Sequence, residues 1–236
     1  DALGTATVTV AAGAFSDLAG NASTAAATGS QDYDTRVAPL AQMTLPVSFD
    51  SATVAYGLLG FGGAEDSTIV ADPTNAANQV AKVVKSATAE LWAGTTLTDD
   101  GTRGFAAAIP FDASNTRMTV KVWSPDAGIP VRLKVEDAGD ATRSCETEAT
   151  TTAAGAWETL TFDFASPAAG TAALNFAFTY DKASIFFNFG TTGAAAGEKT
   201  YYFDDVTFIG GTGGGGGGGS FATVTFDDAA VTYALV

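Results

Sequence analysis

The sequence contains no histidine and a single cysteine, Cys145, among its 236 residues. Lack of histidine excludes Ser-His-Asp and Cys-His catalysis and the usual zinc ligand sets. One cysteine cannot form an internal disulfide. Its setting in the polar run Arg143-Ser144-Cys145-Glu146-Thr147 reads as a tolerated small residue, not a reactive thiol. Basic residues are scarce too: 11 Lys and Arg face 26 Asp and Glu, for a formal charge of −15. Such a field repels phosphate backbones and anionic lipid surfaces, so nucleic-acid and membrane-surface roles fall away. No apolar run reaches membrane-spanning length, so no membrane insertion is expected. No secretory signal opens the chain, which begins mid-pattern.

What is present is a repeat. Val47 to Leu58 reads VSFDSATVAYGL, Val224 to Leu235 reads VTFDDAAVTYAL, and seven of these twelve positions are identical. A glycine tract, Gly213 to Gly219, precedes the second copy. A repeat that restarts after a flexible tract is the mark of tandem modules. The sequence is therefore expected to be an excerpt of a longer modular protein, with residues 210–220 a glycine-rich linker and 221–236 the start of a second copy.

Between about Thr44 and Phe208 the pattern is β throughout. Val47–Phe49, Val80–Lys85, Ala89–Ala93, Gly104–Ile109, Met118–Trp123, Val131–Glu136, Trp157–Phe164, Ile185–Phe189 and Tyr201–Phe208 read as strands, punctuated by Gly, Pro, Asn and Asp. Many short strands in one domain predict an all-β, jelly-roll β-sandwich with partial flanking modules. Alternation places Met118, Val120 and Val122, then Val131, Leu133 and Val135, then Leu160, Phe162 and Phe164 on core faces. The opposite faces carry Arg117, Lys121 and Trp123, or Arg132, Lys134 and Glu136, and are expected to be wet.

Two resemblances follow. The string VTVAAGAFSDLAGNAST within residues 1–36 resembles the closing strands of bacterial immunoglobulin-like domains, which implies a C-terminal remnant of one. Phe49-Asp50, the WxxLxFxF pattern at Trp157–Phe164 and the closing Tyr201-Tyr202-Phe203-Asp204-Asp205-Val206 resemble the frame of calcium-containing β-sandwich carbohydrate-binding modules of the family 4, 16 and 22 kind. Modules of this sort accompany secreted marine bacterial polysaccharide-degrading enzymes, and the likeness spans residues 44–209. It implies a structural Ca²⁺ that pins the terminal strands together, with Asp50 matching the first-strand carboxylate and Asp204 or Asp205 the last-strand one. Asp227 repeats the first of these. Asp72-Pro73-Thr74-Asn75 reads as an ordinary turn.

Sugars offer C–H faces to aromatic rings and hydroxyls to charged or amide groups, so a site needs both. In Glu90-Leu91-Trp92, Leu91 is expected to face the core and leave Glu90 and Trp92 on the wet side. Trp123 and Lys121 share a strand face, Arg132 lies on another, and Arg103 sits in a glycine-flanked loop. Trp157 reads as structural, and Tyr56, which recurs as Tyr233, fits packing equally well.

The leading expectation is non-catalytic binding of an extracellular polysaccharide, β-glucan or algal glycan foremost, within a secreted or surface protein. The alternative is a structural repeat of a surface adhesin or extracellular filament, with strand pairing between neighbouring copies. Enzymatic activity is not expected. Glu146 and Glu148 share a strand face, but nothing marks one as acid and the other as nucleophile.

Overall fold

The computed structural model describes residues 3–34, 39–99 and 101–210. The second copy at 221–236 and the linker beyond Gly210 lie outside the described residues. The chain divides into two compact units at Leu40/Ala41.

In the first unit, β1 (Leu3–Val10) pairs antiparallel with β2 (Ala27–Asp34). The loop between them closes on Asp17, whose carboxylate accepts the amides of Ala19 and Asn21 and the Asn21 side chain. Gly20 there has φ +84°, a conformation that favours glycine. The Asp-Leu-Ala-Gly-Asn string is thus an aspartate-nucleated turn.

The second unit opens with β3 (Ala41–Gln42), which pairs with β4 (Val54–Ala55). Next come β5 (Gly57–Phe61), β6 (Thr68–Asp72), β7 (Asn75–Lys85), β8 (Gly94–Thr98) and β9 (Arg117–Ser124). They are followed by β10 (Pro130–Asp137), β11 (Asp140–Thr150), β12 (Ala156–Asp163), β13 (Lys182–Phe187), the one-turn helix α1 (Gly193–Ala196) and β14 (Lys199–Ile209). Two five-stranded antiparallel sheets form: a front sheet, β11-β10-β13-β8-β5, and a back sheet, β12-β9-β14-β7-β6. The chain passes repeatedly from one to the other, as in a jelly roll.

The expected core faces are inward. Met118, Val120 and Val122 of β9, Val131, Leu133 and Val135 of β10, and Leu160 and Phe162 of β12 are buried in one cluster. Phe187 of the front sheet stacks flat on Tyr201 of the back sheet, with centroids 4.7 Å apart and planes 6° apart. Phe49 packs edge-on against both Tyr56 and Phe203, which gives Tyr56 the packing role. Cys145 is buried on the inner face of β11, and its thiol is pushed up to about 11, by burial first and then by the Glu146 charge.

Three expected strands differ. Ala89–Ala93 and Gly104–Ile109 are irregular: the first turns on itself, with Ala89 bonded to Ser86 and Ala93 to Glu90, and amides of the second go to other segments, Phe105 to Asp181, Ala106 to Met43 and Ile109 to Tyr180. Val47–Phe49 contributes a single antiparallel bridge, Val47 to Val206, with N–H···O distances of 2.9 and 3.0 Å. That bridge depends on a bulge in β14, where register shifts between Asp204 and Thr207 and Asp205 adopts φ 49°. The extra residue returns Val206 to the core face beside Val47.

Phe187→Ala is expected to cost about 3–5 kcal/mol, because it removes a fully buried ring that joins the two sheets. Urea unfolding monitored by tryptophan fluorescence measures it, and a loss below about 1 kcal/mol would show that the stack is dispensable.

Candidate functional site

The outer face of the front sheet carries an ordered polar row. Glu146 of β11 lies opposite Lys134 of β10, Lys134 opposite Ser184 of β13, Ser184 opposite Thr96 of β8, and Thr96 opposite Leu59 of β5. Two residues along, on the same face, Glu148 lies opposite Arg132, and Arg132 opposite Phe186. Against this second row lies an open groove of about 560 Å³, walled by Phe61, Trp92, Phe186 and Phe189 and by Arg132, Lys134, Glu146, Thr171 and Ser184.

The rings form a continuous strip. Trp92 stacks on Phe61 at 6.1 Å and 19°, Phe61 meets Phe186 edge-on at 5.5 Å, and Phe186 meets Phe189 edge-on at 5.8 Å. The Arg132 guanidinium carbon then caps Phe189 at 3.6 Å from its centroid. Four strands at about 4.8 Å spacing give the strip a reach of roughly 14 Å, room for several sugar rings in a row.

Two glycines allow these rings to lie flat. A Cβ on Gly62, which has φ +66°, would sit 2.8 Å from the Trp92 ring, and one on Gly94 would sit 2.8 Å from the Phe186 ring. The segment bearing Trp92 is held from both sides. Ser86 and Glu90 donate their amides to the Gly63 and Gly62 carbonyls, while Gly190 and Gly193 donate theirs to the Leu91 and Ala89 carbonyls. Phe189 is fixed in turn by its amide on the Pro130 carbonyl. Beside it, the buried Lys85 ammonium donates to the carbonyls of Phe187 and Asn188 at 3.2 and 3.0 Å. Burial pushes that ammonium down to about 8, while the two carbonyls favour its charged form.

The structure brings Trp92 and Arg132 into one groove and places the other sequence-derived candidates elsewhere. Glu90 is exposed in the Trp92 loop and does not line the groove. Because that loop is not a strand, alternation does not apply: Leu91 is 43% exposed instead of facing the core, beside Trp92 at 47%. Arg103 is ion-paired with Asp99 at 2.8 Å. Trp123 and Lys121 stand on the outer face of the back sheet, where Trp123 packs edge-on against Tyr202 and Lys121 sits 5.2 Å from the Trp157 ring. Trp157 donates its indole N–H to Asp72 and Thr74, as suits a structural residue. Burial alone would raise the Asp72 carboxyl, but donors from Thr74, Trp157 and Asn78 outweigh it and hold the group below the usual range.

Sequence reading missed Phe61, Phe186, Phe189, Thr171 and Ser184 as groove residues. For Phe186 a signal exists in the alternation of Ser184 and Phe186 against Ala183, Ile185 and Phe187, but apolar residues on both faces obscure it.

The three acidic candidates for a metal lie near the Val47–Val206 bridge. Asp50 accepts the Gln79 amide, Asp204 accepts the Asn78 side chain and the Asp205 amide, and Asp205 is exposed in the bulge. Among the described residues, no three acidic, histidine or cysteine side chains converge as a metal-ligand group. Asp204 is nonetheless 2% exposed, and its carboxyl is pushed up to about 6, by burial first, with the Asp205 charge adding to it. No helix among the described residues is long and apolar enough to cross a membrane.

No protein-family model and no curated protein matches the sequence. Among solved structures, the family 11 carbohydrate-binding module of a cellulosomal cellulase of Clostridium thermocellum is similar over 74% of this chain and 97% of its own, at 12% identity and a TM-score of 0.46. A carbohydrate-binding module of the β-sandwich superfamily is similar over 89% of this chain and 75% of its own, at 14% identity and a TM-score of 0.44. A family 29 module is similar over 71% and 90%, at 9% identity and a TM-score of 0.41. Overlap this partial carries no ligand over.

The Asp204 shift has a definite sign. With a folded value near 6 against an ordinary 3.8, the folded state binds more protons than the unfolded state between those values, so stability falls as pH rises through that window. In chelator, the unfolding free energy of the protein minus that of its Asp204→Asn variant should therefore grow by about 2–3 kcal/mol between pH 7 and pH 4. A difference flat with pH would remove Asp204 as a proton-linked group.

Proposed function

We propose that the front-sheet groove binds a polysaccharide without cleaving it. The observation that carries this reading is the strip Trp92–Phe61–Phe186–Phe189, lying beside Arg132, Lys134, Glu146, Thr171 and Ser184 in one open groove. Rings supply the apolar surface that C–H faces of sugars pack on, and the adjacent charged and hydroxyl groups match sugar hydroxyls. The loop bonds that pin Trp92 hold it in place before ligand arrives, which lowers the ordering cost of binding. A non-catalytic role is supported by Glu146 and Glu148, both of which are engaged by Arg132 at 2.8 Å instead of facing each other across a cleft.

The proposed setting is extracellular or at the cell surface. The β-sandwich of residues 44–209 would be one module of a longer protein, between an immunoglobulin-like remnant (1–36) and a second copy (221–236). Linked copies would gain retention through effective concentration. β-Glucan and algal glycans are the foremost ligands to test.

A structural Ca²⁺ at the Val47–Val206 junction belongs to the same proposal, with Asp50, Asp204 and Asp205 as its carboxylates and backbone carbonyls completing the shell. Its support is the burial of Asp204, whose desolvation a cation would offset. The present hydrogen bonds of Asp50 and Asp204 would have to be shared with the ion.

Affinity gels containing β-glucans, mannans, xylans and algal polysaccharides test the groove. Retention by at least one is expected. Trp92→Ala should weaken that retention by tenfold or more, about 1.4 kcal/mol, with the melting temperature nearly unchanged. Passage through every gel unretarded would overturn the reading and favour the structural-repeat alternative. For calcium, EDTA should lower the melting temperature by several degrees and added Ca²⁺ should restore it. Identical melting curves would rule the ion out.

A further inference from the structure

The groove's two cations, Arg132 and Lys134, would ordinarily invite a carboxylate or sulfate, since a guanidinium fork grips planar anions through paired donors. In this protein every nitrogen of the Arg132 fork already meets a carboxylate, and Lys134 is ion-paired. Nε and Nη2 of Arg132 both meet Oε1 of Glu148, at 2.9 and 2.8 Å, and Nη1 meets Oε2 of Glu146 at 2.8 Å. One face of the guanidinium is covered by the Phe189 ring at 3.6 Å. Lys134 is ion-paired with Glu136 on its own strand and faces Glu146 across the ladder. The Arg132 side chain is only 12% exposed and that of Glu146 21%, so salt screens this network weakly.

Resting on the glycan reading above, we propose that Glu146 and Glu148 set the ligand class of the groove, acting as positioning residues that spend the charge of Arg132 and restrict binding to uncharged polysaccharide. An anionic sugar entering beside Arg132 must either displace a glutamate or lie against two carboxylates, and like charges brought together at an interface are strongly disfavoured. A neutral sugar meets the same carboxylates as acceptors for its hydroxyl protons, Ser184 as a partner of either sense, and Thr171, whose own proton goes to the Ala168 carbonyl, as a further acceptor. The chain's formal charge of −15 repels polyanions in the same direction at longer range.

A matched pair of ligands isolates the charge. The neutral hexose polymer most strongly retained in affinity gels is compared with the same polymer oxidised at C6 to carboxylates, or, where a xylan is best retained, with its glucuronic-acid-substituted form, using the full chain. The protein is expected to bind the oxidised polymer at least about tenfold more weakly. Glu146→Gln/Glu148→Gln should shrink that ratio by about tenfold, the recovered binding should fall with added salt, and Arg132→Ala in the double variant should abolish the recovery. Equal or tighter binding of the oxidised polymer by the unaltered protein overturns the inference and leaves the glycan reading standing. So does a ratio that the double variant does not move. If the double variant fails to fold, Glu148→Gln alone, on the more exposed carboxylate, should shift the ratio in the same direction, and an unshifted ratio again overturns the proposal. Retention by anionic polymers alone likewise overturns the inference while keeping the glycan reading, and retention by no polymer at all removes the glycan reading itself.

Discussion

Phe187 is the residue on which the sandwich and its groove both depend. Its ring lies flat on Tyr201 of the opposite sheet, and its carbonyl accepts the buried Lys85 ammonium. β13 is thereby fixed in depth and in rotation at the middle of the front sheet. Alternation then settles its neighbours: Phe186 must face outward, and Phe189 follows just beyond the strand. A central strand normally has one apolar face. β13 adds one ring, Phe186, to an outer face otherwise made of Lys182 and Ser184, and the groove's rings cover it: Phe61 and Phe189 flank Phe186.

The second constraint is backbone proximity. Trp92 and Phe186 lie against Gly62 and Gly94 at distances that no other side chain at those positions would tolerate. A large ring with 47% of its surface exposed gains little from burial and must be held by something else. Here the holding is done by four loop amides and by stacking on Phe61. At the far end of the strip Arg132 is held by two carboxylates and a ring. Both ends of the groove are thus rigid for different reasons, one through packing and backbone bonds, the other through charge.

The architecture was legible in the sequence where each strand has one apolar and one polar face. Val131, Leu133 and Val135 against Arg132, Lys134 and Glu136 leave no doubt about which side is core. β11 lacked that contrast, since its inner face includes Cys145 and Thr147, and it read as a polar run. Trp92 was recognised, yet through an alternation that its loop does not have. Trp123, Lys121 and Arg132 were all correctly assigned to outer faces, but on different sheets. Which sheet a strand joins is decided by pairings far apart in sequence, such as β10 with β13, and no local pattern records them. Phe61 and Phe186 were hidden for a related reason: an apolar residue on an outward face resembles core until its neighbours in space are known.

Cys145 sits directly behind the glutamates that hold Arg132, on the inner side of an edge strand. Its thiol is raised to about 11 and has no access to solvent while β11 stays in place. Thiolate chemistry at this position is therefore conditional on the strand peeling away. The only sulfhydryl in the sequence consequently serves as a clock for opening of that edge: with reagent in enough excess to outpace reclosing, the pace at which it is alkylated equals the pace at which β11 comes away.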